Sequence, residues 1–273
     1  MQHRKIAFIG AGNMTKSIIS GLVTNAYPAH LITASNPSLE KLSVLRADFN
    51  INITQDNNEA VAAADVVVLA VKPQLMEHVC AKIAQQQNLN GKIFVSIAAG
   101  ITTIRLQQML GGSFPMIRTM PNTPSTLGKG MTGLFADINI DEIDKQYAAD
   151  LMSQVGEIAW VEKESMIDGV IAAAGSSPAY FYLFLEAMQK EAEHQGFDHA
   201  TARLMVQQAM LGAAEMVCHN SHLEISELRT QVTSKGGTTA KAIESFQQQG
   251  LEQVVANAMQ AAVKRAEQMA QQF

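Results

Sequence analysis

A β-type run, a glycine turn and an amphipathic helix follow one another directly at the start of this chain, and no other local pattern limits its possible folds so strongly. Lys5-Ile6-Ala7-Phe8-Ile9 is short and apolar, Gly10-Ala11-Gly12-Asn13-Met14-Thr15 follows, and Met14, Ile18, Ile19, Leu22 and Val23 then share one helical face. In a dinucleotide-binding turn the first glycine permits the tight bend and the second lets the backbone approach a pyrophosphate. The N-terminus of the helix then faces that negative charge. Thr15 stands where the third glycine of the fingerprint usually falls, so the motif is degenerate.

The alternation continues. A second β-type run at residues 31–34 closes on Ser35-Asn36-Pro37, without the Asp or Glu that an NAD-selective site uses to hold the ribose hydroxyls. Such a neutral end, with donors from Ser35, Asn36 and Ser38, favours NADPH and leaves NADH as the weaker cofactor; the same residues also read as a plain Asn-Pro turn. Residues 51–54 predict a third strand, and Asp56-Asn57-Asn58-Glu59 opens a helix in a capping-box pattern, where Asn57 also reads as a cap. Residues 66–71 are wholly apolar, as in a central parallel strand buried on both faces, and a helix is expected over 74–86. Strands at 93–97 and 116–120 follow. The loops behind the strands are small or proline-marked: Lys72-Pro73, Ala98-Ala99-Gly100 and Pro121-Asn122-Thr123-Pro124. Ligands of open α/β sheets lie beyond the carboxyl ends of strands, so these loops predict a cofactor groove. Two more β-type runs, 131–135 and 157–161, flank a helix at 141–154 and extend the sheet.

Beyond Ser165 the strand pattern stops, and the rest reads as helices broken at 175–178, 196–199, 220–223 and 234–239. The fold class is therefore α/β, with a doubly wound Rossmann-type sheet over residues 1–163 and an all-helical domain over 164–273. With 273 residues, 47% of them hydrophobic, the chain fills two cores. A net charge of −5 without a basic run argues against nucleic acid. No apolar run approaches the ~20 residues of a membrane span. The chain enters a strand at Lys5, leaving no room for a signal peptide, and Cys80 and Cys218, far apart, read as reduced structural thiols of a cytoplasmic protein. His194 with His199, and His219 with His222, lack the partners of a zinc set, so no metal is expected. Helices rich in Met and Ala predict oligomerisation to cover their apolar faces.

Within the helical half, Val232-Thr233-Ser234-Lys235-Gly236-Gly237-Thr238-Thr239-Ala240 concentrates hydroxyls and adjacent glycines before a helix expected to start near Ala240. Converging backbone N–H groups and the positive end of a helix suit a carboxylate or phosphate. An ordinary loop with a threonine N-cap gives the same pattern.

Taken together, Gly10-Ala11-Gly12-Asn13-Met14, Ala70-Val71-Lys72-Pro73, Ala98-Ala99-Gly100, Arg118-Thr119-Met120-Pro121-Asn122-Thr123-Pro124, the segment from Gly175 to Tyr180 and the stretch from Val232 to Ala240 resemble the pyrroline-5-carboxylate reductases over the whole chain. The resemblance implies an N-terminal Rossmann domain, a C-terminal helical dimerisation domain and NADPH-dependent reduction of Δ1-pyrroline-5-carboxylate, a small-molecule substrate, to L-proline. It also implies a homodimer whose active site is shared between subunits, with dimers joining further into a homodecamer. Residue by residue, it places Ile9, Gly10, Ala11, Gly12, Asn13 and Met14 at the pyrophosphate, and Asn36 and Asn57 at the adenosine ribose and its 2′-phosphate. Ala70, Lys72, Pro73, Ala98 and Ala99 line the nucleotide, Met120 and Pro121 lie near the nicotinamide, and Gln231 reaches the cofactor from the partner chain. Ser234, Gly236, Gly237, Thr238 and Thr239 bind substrate, Glu164 is a substrate-proximal acid, and Thr239 is the catalytic hydroxyl, positioning or relaying a proton at the imine nitrogen.

Three positions depart from the family pattern: Ser177 for a glycine, Lys235 for a frequent proline, and His222 for a frequent glutamate. Two other readings stay open. A β-hydroxyacid dehydrogenase or another imine reductase has a similar layout, although the lysine and asparagine that hydroxyacid enzymes carry are Ala173 and Ser177 when counted from Gly169. A non-catalytic NADP-sensing module is the other.

Overall fold

The computed structural model describes residues 3–85, 89–138 and 140–272. Eight strands among them form one sheet: β1 (Ile6–Ile9), β2 (Ile32–Ser35), β3 (Asn52–Thr54), β4 (Val66–Leu69), β5 (Ile93–Ser96), β6 (Met116–Met120), β7 (Gly130–Ala136) and β8 (Gly156–Trp160). Their order is β3-β2-β1-β4-β5-β6-β7-β8, parallel up to β6, with β7 antiparallel to β6 and β8 parallel to β7. The chain runs outward from β1 to β3 and then crosses to β4 on the other side of β1, which creates a topological switch point between β1 and β4.

Alternation along the strands builds two cores. Ile6 and Phe8 of β1 face one apolar layer with Val66 and Val68, whereas Ala7 and Ile9 face the opposite layer with Val67 and Leu69. The first layer is completed by α1 (Asn13–Thr24), α2 (Leu39–Phe49) and α6 (Glu142–Ser153), the second by α3 (Asn57–Ala63), α4 (Pro73–Ala84) and α5 (Thr103–Leu110). With helices on both faces, β1, β4 and β5 are buried throughout, as their apolar sequences require.

α7 (Met166–Val170) runs into a π-helical turn at Ile171–Gly175, and then come α8 (Ser177–His194), α9 (His199–His219), α10 (Ile225–Gln231), α11 (Thr238–Gln248) and α12 (Leu251–Gln272). The chain divides into two compact units. One takes the chain up to Ser176 and again from Ala261 on; the other is Ser177–Gln260. The first compact unit extends to Ser176 because α7 and the π-turn pack on β7.

Several local expectations are corrected. α2 and α5 have no counterpart in the sequence reading, and the end of the helix expected over 74–86 includes Gln86, outside the described residues. Asp56 does cap α3 by accepting from the Asn58 amide, but Glu59 accepts from the Thr54 hydroxyl instead of closing a capping box; Asn57 is the first residue of that helix and not its cap. A true capping box forms at Glu224 and Glu227. α11 begins at Thr238 with Gly237 as its N-cap, so neither Thr238 nor Thr239 caps it. Cys80 is buried, its thiol pushed up to about 12 by desolvation, whereas Cys218 is exposed and belongs to no core.

Candidate active site

The turn after β1 is shaped by a close approach at the switch point. Gly10 has φ +114°, and a Cβ there would lie 2.5 Å from the Ala70 carbonyl oxygen, so only glycine fits between β1 and β4. The Gly10 amide donates to the Ser35 carbonyl at 2.8 Å, which ties the turn to β2 as well. Gly12, the N-cap of α1, has open space above it, no side chain caps the helix, and its first turn holds no acid. An uncapped helix start leaves backbone donors and a partial positive charge facing outward, which fits a pyrophosphate. Ile9, Ala11, Asn13 and Met14 surround this cradle in sequence. Thr15, buried, donates its hydroxyl to the Gly10 carbonyl at 2.9 Å. The residue that breaks the glycine fingerprint therefore braces the turn from inside.

At the end of β2 the Asn36 side chain accepts from the Ala11 amide at 3.4 Å and donates to the Ser38 carbonyl at 3.5 Å. Asn57 accepts from the buried Ser35 hydroxyl at 2.7 Å. Asn36 and Asn57 are thus tied, through Ala11 and Ser35, to the ends of β1 and β2, and their environment carries no carboxylate on those two side chains. Lys72 is exposed as the N-cap of α4 and Pro73 is its first residue, while Ala98 and Pro121 are buried and Ala99 and Met120 half-buried.

Arg118, quoted within a motif, and Glu164, named as a substrate-proximal acid, meet Thr103 and Asp168, which the sequence reading passed over. Arg118 in β6 is almost fully buried, and its Nη1 is 3.3 Å from Glu164 Oε1 and its Nη2 3.7 Å from Asp168 Oδ1. Glu164 also accepts from the Thr103 amide at 2.7 Å and the Thr103 hydroxyl at 3.0 Å. Both of its oxygens are therefore engaged within the first unit. Burial raises the Asp168 carboxyl above the usual range, Arg118 opposes this, and Glu267 and Glu164 add to it. Asn122 accepts from the Met131 amide and donates to the Ala174 carbonyl, fastening the loop behind β6 to β7 and the π-turn. A charged residue inside a buried strand was the available sign, since a buried guanidinium demands a carboxylate.

In the second unit, Ser234, Gly236 and Gly237 form a turn that leads directly into Thr238 and Thr239, the first two residues of α11. Gly236 has φ +75°, a left-handed conformation, and the Gly237 amide donates to the Ser234 carbonyl at 3.0 Å. A Cβ on Gly237 would lie 2.6 Å from the Ser234 hydroxyl oxygen. The first turn of α11 holds no acid, and no hydrogen bond by the Thr239 side chain occurs among the described residues. Gln231 closes α10 and is exposed. Among the described residues no group of three His, Cys, Asp or Glu is placed to hold a metal ion, and no helix is long and apolar enough to cross a membrane.

A doubly wound sheet with a pyrophosphate cradle at its switch point, followed by a helical unit, defines a two-domain nicotinamide-dependent oxidoreductase. Residues 5–100 match the family described as NADP oxidoreductase, coenzyme F420-dependent, and residues 164–269 match that described as pyrroline-5-carboxylate reductase dimerisation. A pyrroline-5-carboxylate reductase of Vibrio alginolyticus is 58% identical over 273 residues, all of both chains. The solved structure of such a reductase from Coxiella burnetii superposes with a TM-score of 0.93 at 39% identity, covering 98% of this chain and 99% of that one. The Plasmodium falciparum pyrroline carboxylate reductase, solved with NADP bound, gives 0.87 at 28% identity over 99% of both. The chain belongs to the pyrroline-5-carboxylate reductase family.

Proposed function

We propose that this protein reduces the C=N bond of Δ1-pyrroline-5-carboxylate to L-proline with NADPH, the last step of proline biosynthesis. The observation that carries this reading is the 58% identity, end to end, to a pyrroline-5-carboxylate reductase. When bound, the dihydronicotinamide supplies a hydride to the imine carbon. The chain's own residues bind and orient. Ile9, Gly10, Ala11, Gly12, Asn13 and Met14 hold the pyrophosphate, Asn36 and Asn57 the adenosine end, and Ala70, Lys72, Pro73, Ala98, Ala99, Met120 and Pro121 the rest of the nucleotide.

The uncapped start of α11 and the turn from Ser234 to Thr238 take the substrate carboxylate, since both offer N–H donors without a competing acid. The Thr239 hydroxyl, which makes no hydrogen bond among the described residues, meets the imine nitrogen. A threonine is a poor lone acid, so it holds or relays a proton that the iminium already carries. Gln231 serves the cofactor of a partner subunit, in a cytoplasmic homodimer that shares its active sites and assembles into a homodecamer.

The neutral end of β2 supports NADPH over NADH, because Ser35 and Asn36 place no carboxylate against a 2′-phosphate. Asn36→Asp is expected to weaken NADPH far more than NADH, read from KM for each; equal losses displace the adenosine end. The decisive experiment is turnover of Δ1-pyrroline-5-carboxylate followed by NADPH absorbance, with proline identified as product. NADPH binding without turnover would leave the NADP-sensing alternative standing.

A further inference from the structure

We propose that Arg118 and Glu164 are a positioning pair that sets the separation of the two loops behind β5 and β6, and with it the seat of the nicotinamide; this rests on the NADPH-dependent function proposed above. The pair begins with an anomaly of sequence. Met116-Ile117-Arg118-Thr119-Met120 places a guanidinium in the middle of a buried strand, with its side chain only 3% exposed. Burying that charge costs several kcal/mol unless a carboxylate meets it.

Glu164 meets it in a way that does more than neutralise. Its Oε1 faces Arg118 Nη1 at 3.3 Å and accepts from the Thr103 amide at 2.7 Å, while its Oε2 accepts from the Thr103 hydroxyl. Thr103 opens α5, directly after Ala98-Ala99-Gly100 and two further residues; Arg118 lies just before Met120-Pro121. One carboxylate thus clamps the start of one cofactor loop's helix to the strand that delivers the other loop.

The second carboxylate, Asp168, pairs with the same guanidinium by charge at longer range and without a hydrogen bond. Arg118 Nη2 and Asp168 Oδ1 are both buried without a hydrogen-bond partner, 3.7 Å apart. The closed contact, and so the position of the clamp, is set by Glu164. Hydride transfer tolerates little error in such spacing, since a displacement of about 1 Å can cost roughly 100-fold in rate. In this role Glu164 acts through Thr103 and Arg118.

The test uses the full chain with Glu164→Gln, Thr103→Val, Arg118→Lys and Arg118→Met, alongside melting temperatures. Affinity is measured for NADPH and for adenosine 2′,5′-bisphosphate, which carries the adenosine end but no nicotinamide. Glu164→Gln is expected to weaken NADPH roughly 10-fold, as for one lost charged hydrogen bond, and the bisphosphate by less than about 2-fold. Thr103→Val should follow the same pattern with a smaller loss. Lysine at 118 should restore part of what methionine loses, because it keeps the charge without the fork. In turnover, kcat should fall while KM for the imine stays within about 2-fold. Equal losses for both ligands, or none, would overturn the pair as a positioning device. So would a rise in KM for the imine with kcat and NADPH affinity unchanged, which would return Glu164 to the substrate. If Arg118→Met fails to fold, Glu164→Gln and Thr103→Val carry the comparison. A wild type that binds NADPH without turning over sinks the proposed reaction, while the two binding measurements still decide the clamp.

Discussion

At position 15 the chain carries a hydroxyl where a dinucleotide turn usually carries its third glycine, and the structure gives that hydroxyl a task. Gly10 is held in a left-handed conformation against the Ala70 backbone, and its carbonyl is buried beneath the turn, where Thr15 Oγ1 donates to it at 2.9 Å. A buried carbonyl deprived of its donor costs about 1–3 kcal/mol. Thr15→Val keeps the shape and removes the donor, so it is expected to lower stability by that amount and to weaken NADPH by loosening the turn. Thr15→Ser restores the donor and should recover most of both. Urea unfolding and NADPH titration of the two variants check this; a valine variant as stable as the serine one would mean that the carbonyl finds another partner.

At the scale of elements, β1, β4 and β5 were legible because their short, mostly apolar runs are wholly buried among parallel neighbours, and the glycine turn because it stands between a strand and a helix. The helices were harder. α2 buries only Leu42 and Leu45 while Leu39 and Val44 are exposed, so its apolar stripe is faint, and α5 is eight residues opened by Thr103 and Ile104, poor helix formers. The Thr103, Arg118, Glu164 and Asp168 group joins residues distant in sequence, and no local pattern announces such a meeting. The start of α11 shows how one residue's shift changes a prediction. With Gly237 as N-cap, Thr239 lies inside the first turn and has no capping bond to lose. Thr239→Ala should therefore leave the melting temperature unchanged or slightly raised, because alanine is the better helix former. If the hydroxyl meets the imine nitrogen, kcat should drop roughly 10-fold with NADPH affinity intact, and Thr239→Ser should recover most of the rate. An alanine variant with wild-type kcat would move the proton-holding role to water or to the substrate itself.

The whole molecule has an imbalance that only assembly resolves. The first unit buries two full layers of apolar side chains, but in Ser177–Gln260 the buried apolar residues are only Ala202 and Val206 among the described residues. None of α8 is buried: Phe181, Tyr182, Leu183 and Phe184 are all largely exposed, and Phe184, Met188, Met205, Val206 and Phe246 line an open apolar gap of about 540 Å³. Helices with such faces need a covering surface in water, and the expected one is a second copy, since an isologous interface is self-complementary. Leu183 separates the alternatives. At 69% exposure in the single chain, Leu183→Glu would be nearly silent in a monomer, within about 0.5 kcal/mol. In a dimer it places an unpaired carboxylate inside an apolar interface. The expected result is dissociation in light scattering at assay concentration, a lower melting temperature and lost turnover, while the wild-type melting temperature rises with protein concentration. A wild type that is a fully active monomer, or a Leu183→Glu variant indistinguishable from it, would require these helices to be covered by the chain itself.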